Sequence, residues 1–106
     1  MKAQEFWGTD KEVLIIDLDG TICSDNSYPD YAQAKAFEIE INALKSLSEK
    51  YFIVFWTARY EADRSVTEDW LFRHGIRYDR LVFGKLPYDL FIEMNSCKSI
   101  TELVNF

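Results

Sequence analysis

The stretch "VLIIDLDGTIC", Val13 to Cys23, decides how the rest of the chain is read. Its first part, "VLIID" at 13–17, is an apolar run bounded by charge before and a glycine soon after. That pattern suits a strand buried on both faces, as in a parallel sheet. The strand ends in Asp17 and Asp19, with one residue between them, and breaks at Gly20-Thr21. Burying carboxylates costs free energy unless a cation or hydrogen bonds compensate, so a strand that only completed a core would carry no charge there. Two strand residues separated by one point to the same side, and both aspartates can therefore address one ligand. The turn at Gly20 and Thr21 is expected to offer backbone N–H groups, which attract anions. Carboxylates and N–H donors belong together if a divalent cation and a phosphate are held side by side. Mg²⁺ is typically bound by one or two carboxylates plus waters and phosphate oxygens.

The surrounding pattern supplies a sheet for this tip. "SDNSYPD" at 24–30 is turn chemistry, with Asp30 as the expected N-cap of the following helix. In that helix Phe37, Ile41, Leu44 and Leu47 recur at helical spacing, and it is expected to end near Lys50. "YFIVFWT" at 51–57 reads as a second buried strand. Loop and helix follow, with Val66 and Trp70 on one face and Gly75 at a left-handed C-terminal cap. "RLVF" at 80–83 and "DLFI" at 89–92 read as two short strands separated by "GKLPY", and "SCKSITELVNF" as a closing helix with Ile100, Leu103 and Val104 inward. The order β-α-β-α-β-β-α predicts an α/β, Rossmann-like, mainly parallel sheet with helices on both faces. In such sheets ligands sit beyond the carboxyl ends of the strands. Those ends gather Asp17, Thr57, the segment before Lys85, and Glu93.

The whole chain narrows the choice of function. At 106 residues, 48% apolar and 16% aromatic, it is expected to form a single domain over 1–106 with one core. A net charge of −6 argues against nucleic acid or an anionic membrane as the default partner. No apolar run approaches the roughly 20 residues that span a bilayer, and "MKAQEFWGTDKE" lacks the apolar middle of a signal peptide. Cys23 and Cys97 show no framework spacing and read as reduced thiols, so a cytoplasmic location is expected. With one histidine, His74, and no base beside it, Cys23 is a weak candidate nucleophile. His74, just before Gly75, reads as a helix-end residue. Trp56, Trp70 and Tyr88 read as core or interface, and Trp7 as a residue that packs on a partner chain.

A phosphate beside two carboxylates suggests specific chemistry. One carboxylate can attack phosphorus and form an aspartyl-phosphate. The other can protonate the leaving oxygen and later deprotonate water. A hydroxyl at Thr57 and an ammonium at Lys85 would stabilise the charge spread over the equatorial oxygens. Ala58 and Arg59 follow Thr57 at the same rim. Arg59 is expected either to contact substrate or to pair with Glu61 or Asp63.

These residues amount to a resemblance. "DLDGT" at 17–21 resembles the first motif of the haloacid-dehalogenase superfamily of phosphotransferases, "FWTAR" at 55–59 its second, and "FGK" at 83–85 its third. The resemblance covers residues 12–95, and the stretch at 67–92 looks most like small phosphatases of capsular-polysaccharide or sugar-phosphate metabolism. It implies Asp17 as nucleophile, Asp19 as general acid/base, Thr57 as phosphate ligand and Lys85 as stabiliser of the phospho-aspartate. Gly20, Thr21, Ala58 and Arg59 would line the substrate. Mg²⁺ would rest on the Asp17 carboxylate, the Asp19 main-chain carbonyl and an acidic residue after the last strand.

The match departs from the family in that last element. Where the pattern expects two aspartates stand Glu93, Met94 and Asn95. Met94 cannot serve a hard cation and Asn95 offers a neutral oxygen, which leaves Glu93 as the candidate ligand. The spacing also leaves no room for the cap domain that many members carry. The site is therefore expected to be open to solvent unless a second subunit of a homo-oligomer covers it, and to take a small phosphorylated substrate while leaving room for a bulkier one. The resemblance thus implies a Mg²⁺-dependent phosphatase. The replaced acidic pair motivates the alternative of a catalytically impaired domain of the same fold, serving as a binding or assembly module. A receiver-type phospho-acceptor fits less well, because its acceptor follows the third strand.

Overall fold

Residues 51–56, "YFIVFW", are all aromatic or β-branched, which suits a pleated surface buried on both sides. In the computed structural model, which describes residues 1–25 and 27–105, they form the middle strand of a parallel sheet. The elements run α1 (Ala3–Trp7), β1 (Glu12–Ile16), α2 (Glu38–Leu47), β2 (Tyr51–Trp56), α3 (Arg64–Arg73), β3 (Arg80–Val82) and α4 (Ile100–Val104). Short 3₁₀ turns occupy Tyr31–Gln33 and Glu61–Asp63. The strand order is β1-β2-β3, with Leu14 opposite Ile53, Ile16 opposite Phe55, and Phe55 opposite Leu81.

That register collects the core on one face. Leu14, Ile16, Ile53, Phe55 and Leu81 meet Ile41 and Leu44 of α2, Trp70 and Leu71 of α3, and Ile100 of α4. Neighbouring strand residues point oppositely, so Phe52 belongs to the other face, where Trp7 of α1 meets it at 6.0 Å between ring centroids. The protein is an α/β domain of Rossmann-like design with helices on both sides of the sheet. Trp7 therefore packs on its own chain, against β2.

Several boundaries differ from expectation for local reasons. The N-terminal helix α1 has no signature in the apolar pattern. Asp30 does not cap α2: it precedes the Tyr31–Gln33 turn and makes no side-chain cap bond. The helix starts later because 22–24 and 35–37 pair first, through Ser24 N–H to Lys35 O and Phe37 N–H to Ile22 O. It ends at Leu47 rather than near Lys50. Gly75 does take the left-handed conformation (φ 67°) after α3, with His74 at the helix end stacked on Trp70. The closing helix is shorter than 96–106. Its Ile100 is buried, while Val104 is exposed, so only part of the expected inner face is realised. Thr101 ties it to α2, donating from both N–H and hydroxyl to the Glu40 carboxylate at 2.9 Å. Parts of two expected segments, Asn26 in the 24–30 turn and Phe106 at the end, lie outside the described residues.

The largest difference concerns "DLFI". Residues 89–92 form no strand; they run as irregular chain with Leu90 and Ile92 exposed. A four-residue apolar run has no strand stability of its own and needs a ladder partner and a face to pack on. Gly84 turns with φ 85°, and Pro87 lacks an N–H to donate to a ladder. The chain thus bends away after β3, and the outer edge of β1 carries no strand among the described residues.

Candidate active site at the carboxyl rim

β1 and β2 end side by side, and their next residues form the rim. Asp17 leaves β1 with its Oδ1 accepting from the Leu18 N–H at 2.8 Å, which fixes the carboxylate. Its other oxygen, Oδ2, lies 3.6 Å from Lys85 Nζ. That is too long for a hydrogen bond but close enough for strong attraction between half-buried charges. Thr57, fully buried, clamps the two loops. Its N–H donates to Val82 O, its carbonyl accepts from the Lys85 N–H at 3.0 Å, and its hydroxyl oxygen accepts from the Arg59 N–H at 3.1 Å. The Thr57 hydroxyl proton remains able to donate. Asp17, Thr57 and Lys85, spread over 69 positions of sequence, are thus brought to one place. A hollow of about 280 Å³ opens there, lined by Asp17, Ala58, Lys85, Leu86, Pro87 and Tyr88. A larger hollow of about 360 Å³ lies far from this rim, between the ends of α2 and α3, and gathers no such constellation.

Asp19 sits differently from Asp17. Both its oxygens are taken by the buried Arg59, Nε to Oδ2 at 2.9 Å and Nη2 to Oδ1 at 2.7 Å. Arg59 also donates to Thr67 Oγ1 at 3.0 Å and lies over the Tyr31 ring, 3.9 Å from its centroid. Burial pulls the guanidinium pKa down, but the hydrogen bonds and charge of Asp19 outweigh it and hold the value above the usual one. Arg59 therefore pairs with neither Glu61 nor Asp63, and its donors do not face the hollow. Arg64 takes Glu61 instead. A bidentate guanidinium–carboxylate fork is among the stronger side-chain pairs, so Asp19 is held in place.

The expected backbone donors are also differently used. Gly20 N–H donates to Cys23 O at 2.7 Å and Thr21 N–H to Leu18 O at 3.0 Å, so both close the turn instead of facing an anion. Gly20 earns its place by conformation, with φ 84°, where a side chain would be strained. The Ala58 N–H has no partner among the described residues, and Ala58 lines the hollow. Cys23 is buried beneath this turn, and burial, aided by Asp19, pushes its thiol up to about 12. It stays a neutral thiol near pH 7 and is no nucleophile. Cys97 is exposed, and both cysteines are free.

The metal set implied by the resemblance is not assembled. Asp17 and the Asp19 carbonyl stand at the tip of β1, but Glu93 is exposed on the irregular segment after Lys85. Among the described residues no three acidic, histidine or cysteine side chains converge to hold a metal ion. The residues present do not make a complete Mg²⁺ site, because the strand that would carry Glu93 to the rim does not form. Trp56 and Tyr88, read from the sequence as core or interface, lie 5.4 and 5.2 Å from Lys85 Nζ, ring centroids taken; Tyr31, which the sequence reading missed, lies under Arg59. Spacing carries no signal for Tyr31, though an aromatic residue just before Thr57 was visible.

No family model matches the chain, and no curated protein does. Solved structures do. A crystal structure of a structural-genomics target from Vibrio cholerae is similar, with a TM-score of 0.71 and 25% identity over 90% of this chain and 89% of that one. A chain of the Pnkp1/Rnl/Hen1 complex is similar with a TM-score of 0.61 and 28% identity, covering 68% of this chain. A chain of the Pnkp1/Rnl/Hen1 RNA repair complex gives the same TM-score and identity over 69%. This chain spans only 27% and 25% of those two. No helix is long and apolar enough to cross a membrane among the described residues.

Proposed function

We propose that this chain is a phosphate monoester hydrolase of the haloacid-dehalogenase type, acting through an aspartyl-phosphate on a small phosphorylated metabolite such as a sugar phosphate. The observation that carries the reading is the pairing of Asp17 with Lys85 beside the clamped Thr57 hydroxyl. The Asp17 oxygen attacks phosphorus and the ester P–O bond breaks. Lys85, the Thr57 hydroxyl and the Ala58 N–H meet the charge on the phosphoryl oxygens. The leaving oxygen needs a proton, and Asp19 is the nearest acidic candidate once it exchanges Arg59 for the leaving group. Water then attacks phosphorus as the Asp19 carboxylate takes its proton, the bond to Asp17 breaks, phosphate departs, and Asp19 is again protonated for the next leaving group. RNA is itself a phosphodiester polymer, so fold neighbours in an RNA repair complex are in keeping with phosphate chemistry.

The test is hydrolysis of an aryl phosphate by wild type and Asp17→Asn, with added Mg²⁺ and with chelator. Turnover by the wild type, reduced at least a thousandfold in Asp17→Asn, supports the reading; turnover that survives the substitution overturns the nucleophile. The two metal conditions decide whether Asp17 and a bound phosphate suffice to recruit a cation without Glu93. A second reading, a binding or assembly module without turnover, is favoured by the capture of Asp19 by Arg59 and the remoteness of Glu93. It predicts phosphate binding with no hydrolysis, and activity appearing when Glu93 and Met94 are replaced by Asp.

A further inference from the structure

The hollow beside Asp17 has two kinds of lining. One is charged, with the Asp17 carboxylate and the Lys85 ammonium 3.6 Å apart. The other is apolar, walled by Leu86, Pro87 and Tyr88. Tyr88 stands over Lys85 at 5.2 Å and stacks on Phe91 with centroids 5.3 Å apart, so its position is set from both sides. Even so, it is 52% exposed, which leaves ring surface free to receive another group. The hollow, about 280 Å³, falls just below the range of about 300–1,000 Å³ usual for drug-sized ligands. It has room for a phosphate and one ring and is open to solvent.

We propose that Tyr88 is a specificity-determining residue, and that the substrates are phosphate monoesters whose leaving group carries one ring with an apolar face, a pyranose or an aryl group. The inference rests on the phosphate-site reading above and adds the substrate class to it. With phosphorus at Asp17 and Lys85, the leaving group shares the hollow with Leu86, Pro87 and Tyr88. A flat or chair-shaped ring there covers apolar surface and the Tyr88 face together, whereas a short acyclic alcohol covers little. Ring-to-ring contacts of this kind correspond to a preference of about threefold to tenfold.

Calorimetric titration of the intact chain with phenylphosphonate and with methylphosphonate tests this without requiring turnover. Wild type is expected to bind phenylphosphonate about threefold to tenfold more tightly. Tyr88→Ala should abolish that preference, read as the ratio of the two affinities, while Tyr88→Phe should keep it. Equal affinities in the wild type, or a preference that persists in Tyr88→Ala, would overturn the role of Tyr88 and leave the phosphate site standing. Binding of neither probe would overturn the phosphate site itself, and this inference with it.

Discussion

Two apolar runs of this chain, "IVF" at 53–55 and "LFI" at 90–92, have nearly the same composition and opposite fates. Ile53, Val54 and Phe55 are at most 1% exposed, whereas Leu90, Phe91 and Ile92 are 82%, 54% and 91% exposed. The first run lies between two strands, with helices on one face and α1 on the other. The second follows a glycine turn and a proline and meets no ladder. Hydrophobicity alone therefore does not make a strand: the free energy comes from what covers the run. The same contrast appears in the site. Asp17, at the tip of a covered strand, has a fixed carboxylate, while Glu93, past the uncovered run, joins no cluster.

Breaking the covered side should have the largest effect. Phe55→Ala removes the ring at the centre of the sheet and is expected to cost about 3–5 kcal/mol, read as a lower urea midpoint at unchanged slope. A loss under about 1 kcal/mol would mean that the second strand is not the middle of the core. The link between β1 and the loop after β2 should matter less. Arg59→Leu strands the Asp19 carboxylate, which is still partly solvated, and should destabilise by about 2 kcal/mol, below the 3–5 typical of fully buried pairs. That variant also sharpens the site: freed from the guanidinium, Asp19 should move, changing the pH profile of any turnover. The smallest effect belongs to the uncovered side. Ile92→Ser should leave stability within about 0.5 kcal/mol. A larger loss would show that 89–92 pairs with something in solution, and the comparison between the two runs would fail.

Much of this was legible along the chain. The "DLDGT" tip, the aromatic β2 strand and the Gly75 cap each rest on short-range rules, alternation, apolar continuity and left-handed backbone, that need no knowledge of distant residues. The convergence of Asp17, Thr57 and Lys85 followed from the rule that parallel strands end on one rim. Arg59 shows where such reading stops. Its partner lies 40 residues away, and local spacing offered Glu61 and Asp63 instead. Gly20 and Thr21 show the same limit, since the bonds that occupy their N–H groups depend on how the turn closes.

The sequence by itself determined the types of the three strands and of α2, α3 and α4, the parallel sheet and the carboxylate-tipped first strand, because these follow from residue order over a few positions. Only the tertiary structure decided which charges pair, which N–H groups stay free, that Tyr88 stands over Lys85, and that 89–92 remains outside the sheet. Those outcomes depend on distances between segments far apart in the chain, where packing and desolvation, not local preference, set the free energy.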